Sequence, residues 1–425
     1  MNSRERVIAA LNHQQPDYVP MDLGGCGQTG INASTLYKLR KLYGLDEHPL
    51  KIVEPMQMLG EVEWDLIREV QGDVVPLWNR TNLFGNTQAQ VDQPYTMSDG
   101  TPVFMAHDFA YDTDERGYQV VYPCGDRTAR PSLQMPQGGY FFDNIERSTY
   151  DEDDLRPLDD FRESYSVKTE EDCKFWEEQI RYIYENSDYA VLGVLGGMSI
   201  GDPAEVPGPF LKNPHGIRDV QGWLMAAMEY PEYLQEVYEY ATETAIKNLE
   251  LYRQSVGNKI QAIWLSGTDF GTQNGLMYSV PSFRELYKPY YKRINDWIHE
   301  NTTWKTWYHT CGAVADLMDD FIDMGMDIVN PVQLSAKGMD GQMLKEKYGD
   351  KIVFWGGGVD TQHVLPTASP QAVYDQVYER CKLFAPGGGF VFNPVHNIVA
   401  GVPAENVQAM YQAVNDYRKS ELARS

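Results

Sequence analysis

The sequence predicts an α/β fold, a (β/α)8 TIM barrel with a β-rich insertion after its second strand. Three observations predict it. Short β-branched and aromatic runs recur along the chain, with longer amphipathic segments between them. Eight such runs can be counted, the number a closed parallel barrel requires. Five consecutive runs end in polar side chains able to bind a ligand, and barrel enzymes do their chemistry at the C-terminal strand ends.

In chain order the runs are "YVPMDLGG" (18–25), "DVVPLW" (73–78), "YAVLGVLGG" (189–197) and "QAIWLSG" (261–267). Then come "KTWYHTCG" (305–312), "DIVNPV" (327–332), "KIVFWGGG" (351–358) and "GFVFNPVHN" (389–397). Residues 231–256 and 313–325 place apolar side chains at i, i+3, i+4 and i+7, the pattern of a helix packed on one face. "SPQAVYDQVYERCKLFAPGGG" opens on a Ser-Pro helix start and closes on a glycine stop. Residues 80–150 break the alternation. Asp-Gly at 99–100 and Gly117 punctuate extended aromatic runs there, which read as β-hairpins. The expected organisation is one barrel domain over 1–425, with 80–150 inserted above the mouth as a lid or docking surface. There is no internal repeat and no low-complexity tract.

Composition narrows the functional class. Apolar residues form 42% of the 425, enough for a sizeable core. A net charge of −25 argues against nucleic acid and anionic membrane as partners. The cysteines, at 26, 124, 173, 311 and 381, are odd in number and irregular in spacing, so no disulfide framework is expected and a cytoplasmic location fits. The opening "MNSRERVIAALNHQ" lacks the apolar region of a signal peptide. No run of about 18 apolar residues offers a membrane span.

The strand ends carry the candidate chemistry. Asp22 lies in the first run, and Asp269 and Gln273 follow the fourth. His309 and Cys311 end the fifth, Asn330 and Gln333 the sixth, Asp360 the seventh and His396 the eighth. Residues two apart on a strand point the same way, so His309 and Cys311 can both face the mouth. Imidazole with thiolate suits zinc, and a catalytic zinc site takes three protein ligands and leaves one position open. His396 is the expected third ligand. Two plainer readings of the pair stand beside this one. Both side chains can simply pack at a strand end, or Cys311 can be a nucleophile with His309 as base, although no third group that would orient the base is evident. Asp269 is a candidate acid–base or anchoring residue, or a helix N-cap, and His396 is a candidate acid–base group if no metal binds. Gln273, Asn330, Gln333, Asp360 and Asp22 are candidate substrate contacts, each with the alternative of satisfying loop backbone. The glycines at 356–358 would let a ligand approach the backbone, but their spacing matches no dinucleotide or phosphate loop. His363 is expected at the surface and Cys381 in the core.

Over "RERVIAALNHQQPDYVPMDLGG" at the start and "VHNIVAGVPAENVQAMYQAV" near the end, the chain resembles the uroporphyrinogen decarboxylase superfamily. The resemblance is strongest over 261–410 and weak over 80–150. It implies a (β/α)8 barrel. One branch of that superfamily decarboxylates porphyrinogens without a cofactor. Another holds zinc-dependent methyltransferases that work with a corrinoid protein, their zinc bound by an H-x-C pair and a late cysteine. This sequence keeps the pair as His309 and Cys311 and carries His396 at the late position. The decarboxylases carry an arginine cluster near the N-terminus for a polycarboxylate substrate. The corresponding stretch here, "MDLGGCGQTGINAS", has no arginine. The resemblance therefore implies methyl transfer from a small methoxy or amine substrate, with zinc as cofactor. No D-x-H-x-x-G corrinoid signature occurs, so the corrinoid is expected on a separate protein. The alternatives are a metal-free decarboxylase using Asp269 and His396, and a barrel that binds a ligand without turnover. A monomer or homodimer is implied by the same resemblance.

Overall fold

In the computed structural model, which describes residues 1–422, seven parallel strands form one sheet. They are Val74–Leu77, Ala190–Val194, Ala262–Ser266, Lys305–His309, Ile328–Asn330, Val353–Trp355 and Phe390–Val391, and each neighbours the next in chain order. Spatial order equal to chain order, with helices on the crossovers, is the arrangement of a TIM barrel. The first expected strand, 18–25, is not a regular one. Met21 alone bridges Phe392 in parallel. Around it the Asp22 amide donates to Phe392 O (2.9 Å), the Phe392 amide to Pro20 O (2.8 Å) and the Asp73 amide to Met21 O (2.8 Å). The segment thus spans the gap between the last and first strands of the sheet. Pro20 supplies no amide, and Gly24 turns the chain away at φ 78°, so the ladder cannot lengthen.

Alternate strand residues point inward. Trp264, Trp307 and Trp355 fill the interior with Val74, Leu192 and Ile328. Helix Ser3–Leu11, started by a capping box between Asn2 and Glu5, adds Val7, Ala10 and Leu11 to that cluster at the N-terminal end. The opposite set of strand residues, such as Val191, Ile263, Tyr308 and Phe354, packs against the surrounding helices. Helix Pro231–Val256 covers the span its periodicity outlines. Helix Pro370–Phe384 begins on Ser369, whose hydroxyl accepts the Ala372 amide. The 313–325 pattern resolves into a 3-10 turn, Ala315–Leu317, followed by a short helix, Met318–Asp323.

A buried ion network closes the same end. Asp73 takes the Arg6 guanidinium at 2.6 Å and the Arg418 guanidinium at 2.7 Å, all three with side chains at most 4% exposed. Both arginines also lie against the Tyr18 ring.

Residues 80–150 contain the expected hairpins. Val91–Thr96 pairs with Pro102–Ala106 around Asp99-Gly100, and Tyr111–Thr113 pairs with Gln119–Val121 around Gly117. Leu133–Met135 and Asp143–Asn144 extend the second hairpin into a four-stranded sheet. The first hairpin does not stand alone. Pro102–Ala106 runs parallel to Leu50–Glu54, which continues through Leu59–Gly60 to Ile31–Asn32 in a five-stranded sheet. "LKIVE" lies between Pro49 and Pro55 and is too short to show a period of two, which is why the pattern did not reveal it. Among the described residues no helix is long and apolar enough to cross a membrane, and all five cysteines are free.

Candidate metal centre and its acidic neighbours

Strand Lys305–His309 ends with His309 buried, and Cys311 follows it on the same side. The Cys311 sulfur lies 3.1 Å from His309 Nε2. His396, on the loop after Phe390–Val391, brings its ring to 5.1 Å from that of His309, edge to face. Donor atoms of the three residues all lie within 4.8 Å of one another. The fold therefore joins a pair adjacent in sequence to a residue 85 positions later.

Both imidazoles are oriented by amides. Asn330 Nδ2 donates to Trp355 O (2.7 Å), which turns Asn330 Oδ1 toward His309 Nδ1 at 2.6 Å. Asn397 Nδ2 donates to Gln57 Oε1 (2.7 Å), which turns Asn397 Oδ1 toward His396 Nδ1 at 2.6 Å. Each histidine therefore carries its proton on Nδ1 and presents the Nε2 lone pair. Burial pushes both imidazoles down to about 4, His396 further disfavoured by His309, so both are neutral at neutral pH. Burial, reinforced by Asp269, holds the Cys311 thiol well above its ordinary range. These donors fit zinc. Two neutral imidazoles and one thiol converge, and tetrahedral zinc separates its ligands by about 3.4–3.6 Å. A cation would also offset the cost of a thiolate beside Asp269. Asn330→Ala is expected to weaken zinc binding about ten- to a hundredfold, read by competition with a chelating dye.

The loop bearing Asp269 is stitched to the one bearing Cys311. Asp269 Oδ1 accepts the Cys311 amide at 2.7 Å, Thr310 Oγ1 accepts the Phe270 amide at 2.9 Å, and the Ala313 amide donates to Thr272 O at 2.8 Å. Gly312, at φ 89°, lies so close to Gly271 that a Cβ would approach its carbonyl carbon to 2.5 Å, so the contact needs glycine on both loops. Burial raises the Asp269 carboxyl above its ordinary value.

The remaining candidates are placed as follows. Gln333 Oε1 accepts the Gly312 amide and its Nε2 donates to Gln273, which in turn reaches Ser335 O, so the two glutamines brace the Cys311 turn. Asp22 is fully buried, accepting the Trp355 indole N–H at 2.9 Å and the Gly25 amide, and burial lifts it to about 6. Asp360 directs its carboxylate into its own loop, onto the Gln362 and His363 amides. The glycines at 356–358 are required by packing. A Cβ on Gly358 would meet the Phe392 ring at 2.3 Å, and one on Gly356 would meet Pro331 O at 2.7 Å. His363 is exposed and Cys381 is buried, as expected.

Sequence reasoning missed Asn397, Asp202 and Glu205. Asn397 directly follows His396, and an amide beside a candidate ligand is a signal that could have been used. Asp202 and Glu205 lie in "GDPAE", after the Ala190–Val194 strand. Burial raises both, and Asp269 pushes Asp202 further while Asp202 pushes Glu205. With its native pKa above the unfolded one, Asp202 binds a proton more tightly when folded and costs stability as pH rises through that native value. Asp202→Asn is therefore expected to stabilise the protein by roughly 1 kcal/mol or more near pH 8, and by less near pH 5, in thermal melts.

A family match and one solved structure agree with this architecture. The model for uroporphyrinogen decarboxylase (URO-D) matches residues 149–417. A solved structure, a methyltransferase from Methanosarcina mazei, is similar over 98% of this chain and 99% of its own, with TM-score 0.56 and 16% identity, which shows a shared fold. A GH113 beta-1,4-mannanase covers 59% of this chain and 79% of its own at TM-score 0.28 and 12% identity. A GH113 beta-mannanase from Alicyclobacillus acidocaldarius covers 60% and 79% at TM-score 0.29 and 9% identity. No curated protein matches the sequence. The matched region takes in six of the seven sheet strands, from Ala190 onward, the site residues Asp269, His309, Cys311 and His396, and more than half of the chain: the protein belongs to the uroporphyrinogen decarboxylase family.

Proposed function

We propose that the protein is a zinc-dependent methyltransferase that moves a methyl group from a small methoxy or amine substrate to the corrinoid of a separate protein. The convergence of His309, Cys311 and His396 carries the reading. The family and the shared fold with a methyltransferase support it.

A methyl group on an ether oxygen or amine is a poor electrophile, because the departing heteroatom would be a strong base. Zinc, when bound, supplies Lewis acidity at that heteroatom. The chain's own residues do the rest. Asn330 and Asn397 hold the imidazoles with Nε2 forward. Gln333 and Gln273 fix the turn that presents Cys311. Asp269, raised by burial, sits beside Cys311 where it can orient the substrate or give a proton to the departing heteroatom. The strands of 80–150 stand as the lid or docking surface for the corrinoid protein, with 1–425 acting as one barrel unit.

The test is methyl transfer by purified, zinc-loaded protein from methoxylated and methylated-amine compounds to a reduced corrinoid protein, followed by the cobalt absorption spectrum. Transfer dependent on zinc supports the reading. A protein that takes up no zinc on supplementation, yet releases carbon dioxide from a carboxylic acid, would be the metal-free decarboxylase with Asp269 and His396 as its acid–base groups.

A further inference from the structure

Both imidazoles of the converging triad are oriented by side-chain amides, but the two amides are anchored differently. Asn330 is fully buried, and its Nδ2 donates to Trp355 O at 2.7 Å. A backbone carbonyl only accepts, so Asn330 has one way to sit, with Oδ1 toward His309 Nδ1. Asn397 is 1% exposed, and its Nδ2 donates to Gln57 Oε1 at 2.7 Å. That partner is a second amide, which offers an oxygen on one side and N–H groups on the other. Gln57 stands in the turn joining Leu50–Glu54 to Leu59–Gly60. Its backbone is held twice: the amide donates to Glu54 Oε2 and the carbonyl accepts from Asn32 Nδ2, both at 2.9 Å. Its side chain is half-buried, and Nε2 has no partner among the described residues, so nothing fixes which atom it presents to Asn397.

Reversing this relay keeps both of its bonds, because the oxygen and nitrogen of an amide are nearly the same size. With both amides turned over, Gln57 Nε2 donates to Asn397 Oδ1, and Asn397 Nδ2 donates to His396 Nδ1. His396 then carries its proton on the other nitrogen: one proton leaves Nδ1, one is taken up at Nε2, and the charge is unchanged. A protonated nitrogen has no lone pair for a metal. Within the protein His396 Nε2 has no hydrogen-bond partner among the described residues, so no contact there selects between the two forms.

We propose that Gln57 is a positioning residue that sets the tautomer of His396, and that Gln57 and Asn397 turn over together, so that the protein can withdraw His396 from a metal while His309 stays locked. The consequence for the metal rests on the zinc reading above; the change of tautomer does not.

The test is nitrogen-15 NMR of the histidine rings in metal-free, full-length protein near neutral pH, with signals assigned by single histidine substitutions. His309 is expected to show one tautomer, protonated on Nδ1, and His396 signals averaged between two. Gln57→Glu, whose carboxylate only accepts, should fix His396 with its proton on Nδ1. Gln57→Lys, whose ammonium only donates, should move that proton to Nε2, with His309 unchanged in both. Zinc should gather wild-type His396 in the Nδ1-protonated form, and should bind Gln57→Lys at least about tenfold more weakly than wild type. A new charge at position 57 alters zinc affinity by itself but does not exchange the protonated nitrogen, so the tautomers decide. A single Nδ1-protonated form of His396 in the metal-free wild type, a tautomer unmoved by Gln57→Lys, or a change at His309 in step with His396 would each overturn the proposal. Tautomers steered as expected in a protein that takes up no zinc would sink the zinc reading and keep the relay. Zinc held by the triad, with His396 fixed in wild type and both variants, would do the reverse.

Discussion

Alanine at His309, Cys311 or His396 is expected to drop zinc content from about one ion per chain to near zero, and methyl transfer on the order of a thousandfold, because each removes one of the three donors of the proposed zinc site. Elemental analysis of wild type and the three variants gives the first number, and single-turnover transfer gives the second. The variants should keep their fold, since the donors sit at strand ends and loops and not within the tryptophan-filled interior. Full zinc retention in Cys311→Ala would return the thiol to pocket lining and leave the two histidines as an incomplete site. Loss of zinc in all three, with unchanged melting of the metal-free proteins, would establish the triad as the centre of the chemistry.

The largest expected effect on stability lies at the other end of the barrel. Asp73→Ala should destabilise the protein by about 3–5 kcal/mol, read from the denaturant midpoint, because it leaves the buried Arg418 guanidinium without a carboxylate and Arg6 with Asp17 alone. Asp73 also accepts the Met21 amide at 2.9 Å, so the variant loses the bond that sets the irregular closing segment against the first sheet strand. Arg418→Met should cost less, since Arg6 remains to pair the carboxylate. Comparable losses for the two variants would mean that Asp73 acts through packing and not through charge.

Much of the barrel was legible because its strands are buried on both faces and read as unbroken apolar runs, from "AVLGV" to "VFW". The strand around Met21 was legible as a position but not as a form, since proline and glycine deny it the hydrogen bonds of a ladder. The five-stranded sheet was hidden for a different reason. Its pairing of Leu50–Glu54 with Pro102–Ala106 joins residues about fifty apart in sequence, and two short strands carry no mark of each other. At the site, His309 and Cys311 were legible through their spacing, and His396 through its place at the last strand end. Asp202 was not, because an aspartate in a glycine- and proline-rich loop looks like turn chemistry until Gly267 and Asp269 are seen beside it.

His396 is held from outside the barrel sheet. Its Asn397 neighbour bonds Gln57, the Asn32 amide donates to Ile398 O at 2.8 Å, and the Ile398 amide donates to Gly30 O at 2.9 Å. The third proposed ligand is thus tethered to the five-stranded sheet, whereas the other two belong to the barrel. If the proposed zinc binds there, metal occupancy and the seating of that sheet are thermodynamically linked, each favouring the other by the same free energy. Hydrogen exchange offers the direct view: zinc should slow exchange at the amides of Asn32 and Ile398, and whatever loosens this seam should hasten the departure of the ion.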